Sequence, residues 1–242
     1  EITPLLEERL GAWQQGEVPP LPISPVDMTA ANTVYLIDRP GAQQSYIFAA
    51  HVAPKINPET EAAVETMNRI LGGSFTSRIN MNLREAKHWS YGARSNFLNA
   101  QAQRLFIATA PVQSDKTAES LAELVKEFEG MVGKIPISAD ELQKSQLNQT
   151  LRMPGQWETA SAVKSSLRDL VIHGLPEDHY DTYASRVAAL KLDDIAKTAT
   201  DIVKPENITW VVVGDLALIE GPVRELELGE VTVIKDEAAY LQ

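Results

Sequence analysis

The segment of residues 70–92 constrains the fold of this 242-residue chain more than any other part of the sequence. An apolar helical run reaches Leu71 and is followed by two glycines, which is a common signal for the end of a helix. Ser74, directly after the glycines, is a favourable N-cap for a second, short helix. We therefore expect a helix that ends at Leu71, a break, a short helix opened by Ser74, a turn, and a strand that begins near Ser90.

Two long hydrogen-bond donors lie within this segment. Arg84 is expected at the end of the short helix, and Tyr91 at the head of the following strand. The fold would then bring a permanently charged donor and a neutral donor to one corner. Taken alone, the two residues are more simply explained as a solvated helix-end cation and a half-buried strand residue. The pattern around them is what makes them candidates for a functional site.

Length, composition and charge exclude several classes of protein. The chain can form one substantial core with an appendage, and it has no apolar run long enough to span a membrane. The absence of cysteine excludes disulfides and thiolate metal sites, but it leaves the compartment open, with a bacterial periplasm as one option. A net charge of −11 argues against general nucleic-acid binding. Because the chain starts at Glu1 without an initiator Met or a signal peptide, we expect a fragment or a processed product.

Strands and helices are segregated along the sequence. Two strands are expected first, then a helix with Asn57 as N-cap and Pro58 at its first position, and two more strands after the 70–92 segment. A run of long helices follows, with a capping box at 138–141 and a break at 153–155. The predicted strands are 32–38, 44–52, 90–98, 104–112, an interior strand at 207–215, and a short edge strand at 231–234, which follows a last helix at 216–226. This order predicts an α+β fold with a mixed, mostly antiparallel sheet and helices packed on one face.

The N-terminal region looks separate from the rest. Residues 2–13 form an amphipathic helical pattern with Leu5, Leu6, Leu10 and Trp13 on one stripe. Four prolines in seven residues, from Pro19 to Pro25, then indicate an extended, semi-rigid linker. We place a boundary near residue 25.

A larger pattern surrounds the Arg/Tyr pair. The pattern consists of an Asn-x-x-Leu-Gly-Gly sequence followed by Ser-Arg, Leu-Arg-Glu and Tyr-Gly. The Arg of Leu-Arg-Glu and the Tyr of Tyr-Gly are seven residues apart. The residues are Asn68, Leu71, Gly72, Gly73, Ser77, Arg78, Leu83, Arg84, Glu85, Tyr91 and Gly92. The set resembles the second half of pitrilysin/insulinase-type (M16 family) zinc metallopeptidases. The resemblance extends over residues 26–242, although its specific motif is confined to residues 68–92.

The resemblance implies a metal-free, C-terminal-half type of domain that completes the substrate chamber of a zinc endopeptidase. Arg84 and Tyr91 would bind a peptide held at the zinc of a partner half, which is a homologous half on the same polypeptide or a separate subunit. Residues 1–25 would be the terminal helix of the preceding half and a linker, and residues 26–242 the following half. This chain would bind no zinc and would not be active alone.

The family's zinc motif, His-x-x-Glu-His, is absent from the sequence, and the position where it belongs begins with His51-Val-Ala-Pro instead. The nearest approach to a metal site is His173, Glu177 and His179, but a helix break with Gly and Pro separates them. No nucleophile elbow or phosphate-binding loop is present. Two alternatives to the peptidase half remain: an inactive structural or assembly subunit of the same fold, similar to core subunits of mitochondrial respiratory complexes, and a chamber wall that only binds peptides.

Overall fold

A computed structural model describes residues 2–14, 16, 17, 19 and 22–234. The α-helices are α1 Ile2–Leu10, α2 Glu61–Asn68, α3 Arg78–Asn80, α4 Thr117–Glu129, α5 Ala139–Arg152, α6 Ala160–His173, α7 His179–Ala189, α8 Leu192–Ile202 and α9 Leu216–Glu225. The strands are β1 Thr33–Asp38, β2 Gln44–Ala53, β3 Arg94–Leu98, β4 Arg104–Gln113, β5 Thr209–Gly214 and β6 Glu230–Ile234.

The strands form one sheet in the order β3-β4-β2-β5-β1-β6. The pairs β3/β4, β4/β2 and β2/β5 are antiparallel, whereas β1 is parallel to both β5 and β6. The predicted mixed, mostly antiparallel sheet is therefore confirmed. The apolar strand β5 lies in the interior of the sheet and β6 at its edge, as their sequences predict.

One face of the sheet carries the core. Alternate residues of β2, β4 and β5 are buried against the helices, while the residues between them on the other face are only partly buried. Phe106 of β4 meets Phe128 of α4 edge-on at a ring distance of 6.0 Å, and Phe128 in turn lies 6.0 Å from the ring of Trp210 on β5. Each of these fully buried side chains contributes about 1.5–3 kcal/mol. The prediction that the helices pack on one face is confirmed.

The 70–92 segment differs from its prediction at the first helix end. Helix α2 continues past Leu71 as a π-helical turn, Arg69–Gly73. Ser74 does not cap the next helix, because its hydroxyl donates a hydrogen bond back to the carbonyl oxygen of Arg69 at 3.0 Å. Ser77 takes the N-cap position instead, and α3 then runs into a second π-helical turn, Met81–Ala86.

The predicted strand start near Ser90 is also wrong, since β3 begins only at Arg94. Ser90 makes an isolated bridge to Val112 of β4, and Tyr91 lies in a bend after it. The reason is local: the backbone N–H of Ser90 donates to the carbonyl oxygen of Leu83 at 3.3 Å. The Ser90 hydroxyl accepts the N–H of Gly92 at 3.0 Å, so this part of the backbone is held by a turn rather than by the sheet.

Other predicted boundaries vary in accuracy. The capping box of Ser138 and Glu141 is confirmed at the start of α5, and a 3₁₀ turn, Met153–Gly155, ends this helix as expected. The regular part of α2 begins at Glu61, four residues later than the predicted N-cap. Asn57 instead organises the preceding turn, where its side-chain oxygen accepts the N–H of Glu59 at 3.1 Å.

Helix α1 buries none of its residues, and Trp13, three residues beyond its end, is 82% exposed. An exposed apolar stripe is what we expect of a helix that belongs to a preceding half. The domain division at residue 25 stays a prediction, and residues 15, 18, 20 and 21 of the linker region and residues 235–242 lie outside the described residues. None of the described helices is long and apolar enough to cross a membrane.

Candidate functional site

The first arginine of the motif, Arg78, is part of the scaffold. Its guanidinium donates two hydrogen bonds to the carboxylate of Glu141, at 2.6 and 3.0 Å, and two more to the carbonyl oxygens of Ile135 and Pro136. Partial burial acts to raise the pKa of Glu141, but the hydrogen bonds from Arg78 and Ser138 hold this pKa below its usual value. Arg78 thus ties α3 to the N-terminus of α5, and four of its five N–H donors are used within the fold.

Arg84 is in a different situation. It lies in the Met81–Ala86 turn with 41% of its side chain exposed, and its charged partner is the adjacent residue, Glu85, at 3.2 Å. The guanidinium carbon lies 4.8 Å from the ring centre of Phe75, which is a cation–π contact. The contact restrains the guanidinium, whose Nε faces Glu85, and leaves its terminal N–H groups available to donate.

Tyr91 is 86% exposed, and its hydroxyl makes no hydrogen bond to any described residue. It borders a cleft of about 670 Å³ between the loop that follows the two glycines, the segment from Tyr91 to Asn96, and the partly exposed face of the sheet. Phe75 and Tyr46 also line this cleft and are exposed. The structure thus brings Tyr91 and Phe75 to one cleft, which we call the aromatic cleft, whereas Arg84 contacts Phe75 but does not itself line this cleft.

Phe75, Tyr46 and Asn80 were not identified from the sequence. Phe75 could have been noticed as a large aromatic residue in a loop of small polar residues, Gly-Gly-Ser-Phe-Thr-Ser. Tyr46 belongs to an ordinary alternating strand, and its position at the cleft follows only from the pairing of β2 with β4, where it lies opposite Pro111. Phe75 thus has a weak local signal, whereas Tyr46 and Asn80 have none.

A second, polar cleft of about 750 Å³ lies between α2, β3 and helices α5–α7. At its base the buried Arg104 donates to Glu61 at 2.6 Å. Burial raises the pKa of Glu61, against the opposing effect of Arg104. This ion pair therefore joins β4 to α2 and is a contact within the fold.

Higher in the polar cleft, desolvation raises the pKa of Glu65, which meets the hydroxyl of Tyr183. The same hydroxyl lies 2.8 Å from the side-chain oxygen of Gln149. The single O–H of Tyr183 cannot donate to both acceptors. A protonated Glu65 can donate to the Tyr183 oxygen, so that the O–H of Tyr183 donates to Gln149. Burial and the nearby Glu65 also raise the pKa of the Tyr183 hydroxyl, so this hydroxyl keeps its proton.

The described residues contain no group of three or more His, Asp or Glu side chains that could hold a metal ion. His51, at the position where the family motif would begin, is buried and stacked on Phe106 at 4.9 Å, and burial lowers its pKa. His179 is buried against Arg186, 3.1 Å away, and burial and this cation lower its pKa. His173 is the last residue of α6. The side chains of the described residues therefore do not fit a zinc site.

Comparisons with known proteins agree with this description. The profile of the family described as peptidase M16 inactive domain matches residues 1–148. The zinc protease PqqE of Helicobacter pylori is 21% identical over 176 residues, which are 73% of this chain and 39% of PqqE. The fold is similar to that of a protease from Helicobacter pylori, with a TM-score of 0.77 and 19% identity over 88% of this chain and 51% of that one. It is also similar to the periplasmic protease PqqL from Escherichia coli, with a TM-score of 0.70 and 14% identity over 88% of this chain and 24% of PqqL.

The chain thus spans about half or less of the length of these proteins. At this level of identity, the likeness to the solved structures shows the fold. The family profile goes further, because its match extends over more than half of the chain. The chain belongs to the peptidase M16 inactive-domain family.

Proposed function

We propose that this chain is the metal-free half of a zinc endopeptidase and that it supplies Arg84 and Tyr91 to a peptide bound at the zinc of a partner half. The zinc and the general base belong to the partner, which is either fused to this chain or a separate subunit. PqqE, a relative that is more than twice as long as the matched region, is described as a zinc protease, and this supports a peptidase context.

The observation that carries the proposal is the availability of the two donors. Tyr91 is almost fully exposed, and Arg84 makes a cation–π contact with Phe75 and an ion pair with the neighbouring residue, Glu85. By contrast, Arg78 and Arg104 are both engaged by carboxylates and backbone carbonyls. A stable fold does not need an arginine held against an aromatic ring or an exposed tyrosine at an aromatic cleft. Both side chains are suited to donate hydrogen bonds to a peptide backbone.

In this role the two side chains act by electrostatic preorganisation. Both are hydrogen-bond donors, and a peptide carbonyl oxygen gains negative charge when the bond is attacked. Arg84 provides a fixed positive charge with planar N–H geometry, and Tyr91 provides a neutral O–H. Phe75 and Tyr46 offer exposed aromatic surface on which substrate side chains can pack. The combination fits an extended peptide better than a small polar metabolite.

The test requires the assembled enzyme. A zinc-bearing half with a His-x-x-Glu-His motif, encoded next to this chain, would be co-expressed and purified with it, and cleavage of a quenched fluorogenic peptide would be measured. Arg84→Ala and Tyr91→Phe should each lower kcat/KM by about 10²–10³ if the donors act on the transition state, with zinc content and unfolding temperature unchanged. A contact made mainly with the ground state would appear in KM instead.

Arg168→Ala is a matched control, because Arg168 is also an exposed arginine paired with its adjacent acidic residue, Asp169, at 3.0 Å. It should leave turnover unchanged. If both donors hold one carbonyl oxygen, the double variant should be little worse than the poorer single variant. Wild-type turnover in Arg84→Ala and in Tyr91→Phe would refute the proposed roles and favour a structural subunit or a passive chamber wall.

A further inference from the structure

A buried amide joins the two loops that carry the proposed site. Asn80, the last residue of α3, is only 4% exposed. Its side-chain nitrogen donates to the carbonyl oxygen of Phe75 at 2.7 Å, and its side-chain oxygen accepts the backbone N–H of Ala93 at 3.2 Å. One side chain therefore bridges the loop before α3 to the segment that leads into β3.

The chemistry of this position requires an amide. The carbonyl of Phe75 needs a donor and the N–H of Ala93 needs an acceptor, and a single Asn side chain supplies both at once. Leucine has a similar size but would leave both backbone groups without a partner. Aspartate would keep the acceptor for the N–H of Ala93. When ionised, it would place a second acceptor oxygen, instead of a donor, against the carbonyl oxygen of Phe75.

Both ends of the bridge lead to the proposed donors. Phe75 is the residue whose ring centre lies 4.8 Å from the guanidinium carbon of Arg84. Ala93 is buried and lies two residues after Tyr91, in the bend that the hydroxyl of Ser90 closes through the N–H of Gly92. Asn80 therefore links the aromatic residue that contacts Arg84 to the backbone beside Tyr91, in addition to the hydrogen bonds that Trp89 and Ser90 donate to the Leu83 carbonyl.

We propose that Asn80 is a positioning residue, an inference that rests on the proposed function above. Asn80 holds the Phe75–Arg84 pair and the Tyr91 bend at the separation at which Arg84 and Tyr91 can donate to one peptide carbonyl oxygen. It does not touch the peptide itself. Its substitution should lower turnover without removing either donor, because a displacement of about 1 Å can cost up to ~10²-fold in rate.

The bridge can first be tested in the chain alone by amide hydrogen exchange. Asn80→Leu should accelerate exchange of the Ala93 N–H, whereas Asn80→Asp, which keeps the acceptor, should leave it protected. Equal protection of Ala93 in the wild type and in Asn80→Leu would show that the bridge is absent, and it would overturn the inference.

Peptide cleavage by the assembled enzyme then tests the positioning role. Asn80→Leu should lower kcat/KM by about 10-fold or more. The activity of Asn80→Asp relative to the wild type should rise as the pH falls from 8.5 to 5.5, because a protonated carboxyl again donates to Phe75 while it accepts from Ala93. If the ratio of Asn80→Asp activity to wild-type activity is the same at pH 8.5 and pH 5.5, whatever its value, the inference is overturned.

Gln149→Leu is the control for a general loss of stability. Gln149 is also a buried amide, 3% exposed, but it hydrogen-bonds Thr66 and Ser145 in the helical layer. It should lower the unfolding temperature and leave kcat/KM unchanged. Loss of turnover in the Arg84 and Tyr91 variants but not in Asn80→Leu would refute only the positioning role. Normal turnover in all of these variants would refute the proposed function and this inference with it.

Discussion

Gly72→Ala tests whether the 70–92 segment folds as it does because its first glycine has no side chain. The Arg69–Gly73 turn packs directly on β3 at this point. A Cβ atom on Gly72 would lie 2.4 Å from both the backbone nitrogen and the hydroxyl oxygen of Ser95, about 1 Å closer than ordinary contact. Because Ser95 is paired with Ala108 in the sheet, the strand cannot easily move away.

The size of the effect follows from three contributions. Overpacking of this kind costs about 1–3 kcal/mol. Separating the turn from β3 also weakens two hydrogen bonds between Asn68 and Ser95, of 2.7 and 3.2 Å, at about 1 kcal/mol each. Alanine gains about 0.5–1 kcal/mol over glycine in helical backbone. The sum is a loss of about 2–4 kcal/mol, which lowers the unfolding temperature by roughly 10 °C in a chain of this size.

Thermal and urea unfolding of the purified chain would measure this loss, and Gly221→Ala is the control. Gly221 lies within α9, where a Cβ would meet nothing within 4 Å apart from its chain neighbours. The following Pro222 offsets part of the gain of about 0.5–1 kcal/mol that alanine makes in a helix, so stability should change by less than about 1 kcal/mol. The two substitutions are chemically identical, and only the one at Gly72 should cost stability substantially. A Gly72→Ala variant within about 0.5 kcal/mol of the wild type would refute the argument that close packing on β3 selects glycine here.

Three further predictions concern the metal and the buried charges. The purified, chelator-rinsed chain should contain no stoichiometric zinc by elemental analysis, and one tightly bound zinc ion would contradict this. Arg78→Ala should destabilise the chain by about 2–4 kcal/mol in urea unfolding, because it leaves the carboxylate of Glu141 and two carbonyls without their donor. Since the folded pKa of Glu65 is raised, folding binds a proton, and wild-type stability should fall as the pH rises from about 4.3 through that raised pKa. Glu65→Gln should make this pH dependence shallower, with the contribution of Glu61, whose pKa is also raised, remaining; an unchanged slope in urea titrations would contradict the prediction.

The parts of the fold that were predicted correctly depend on short-range chemistry. Ser138 and Glu141 cap α5 through contacts made within four residues, so the sequence alone identifies them. The apolar run of β5 indicates an interior strand without knowledge of its neighbours. The segregation of strands and helices was enough to predict the class of the sheet.

The errors lie where tertiary contacts compete with local signals. Ser74 is as good an N-cap as Ser77 on propensity, but its hydroxyl is taken by the carbonyl of Arg69. The strand expected from Ser90 starts four residues later, because Leu83 and the Ser90 hydroxyl hold the backbone of this bend. Asn80 gives no signal at all, since its two partners are five and thirteen residues away along the chain.

Arg78 and Arg84 show why a motif does not assign roles to its residues. They are six residues apart, both follow an apolar or small residue near a helical turn, and the family pattern contains both. Arg78 is enclosed by Glu141 and two carbonyls, so its charge is already used in holding α3 to α5. Arg84 faces an aromatic ring that orients its guanidinium but accepts none of its N–H groups in a conventional hydrogen bond. The same side chain thus serves the fold at one position and remains available to a ligand at the other, and only the partners present in three dimensions distinguish the two.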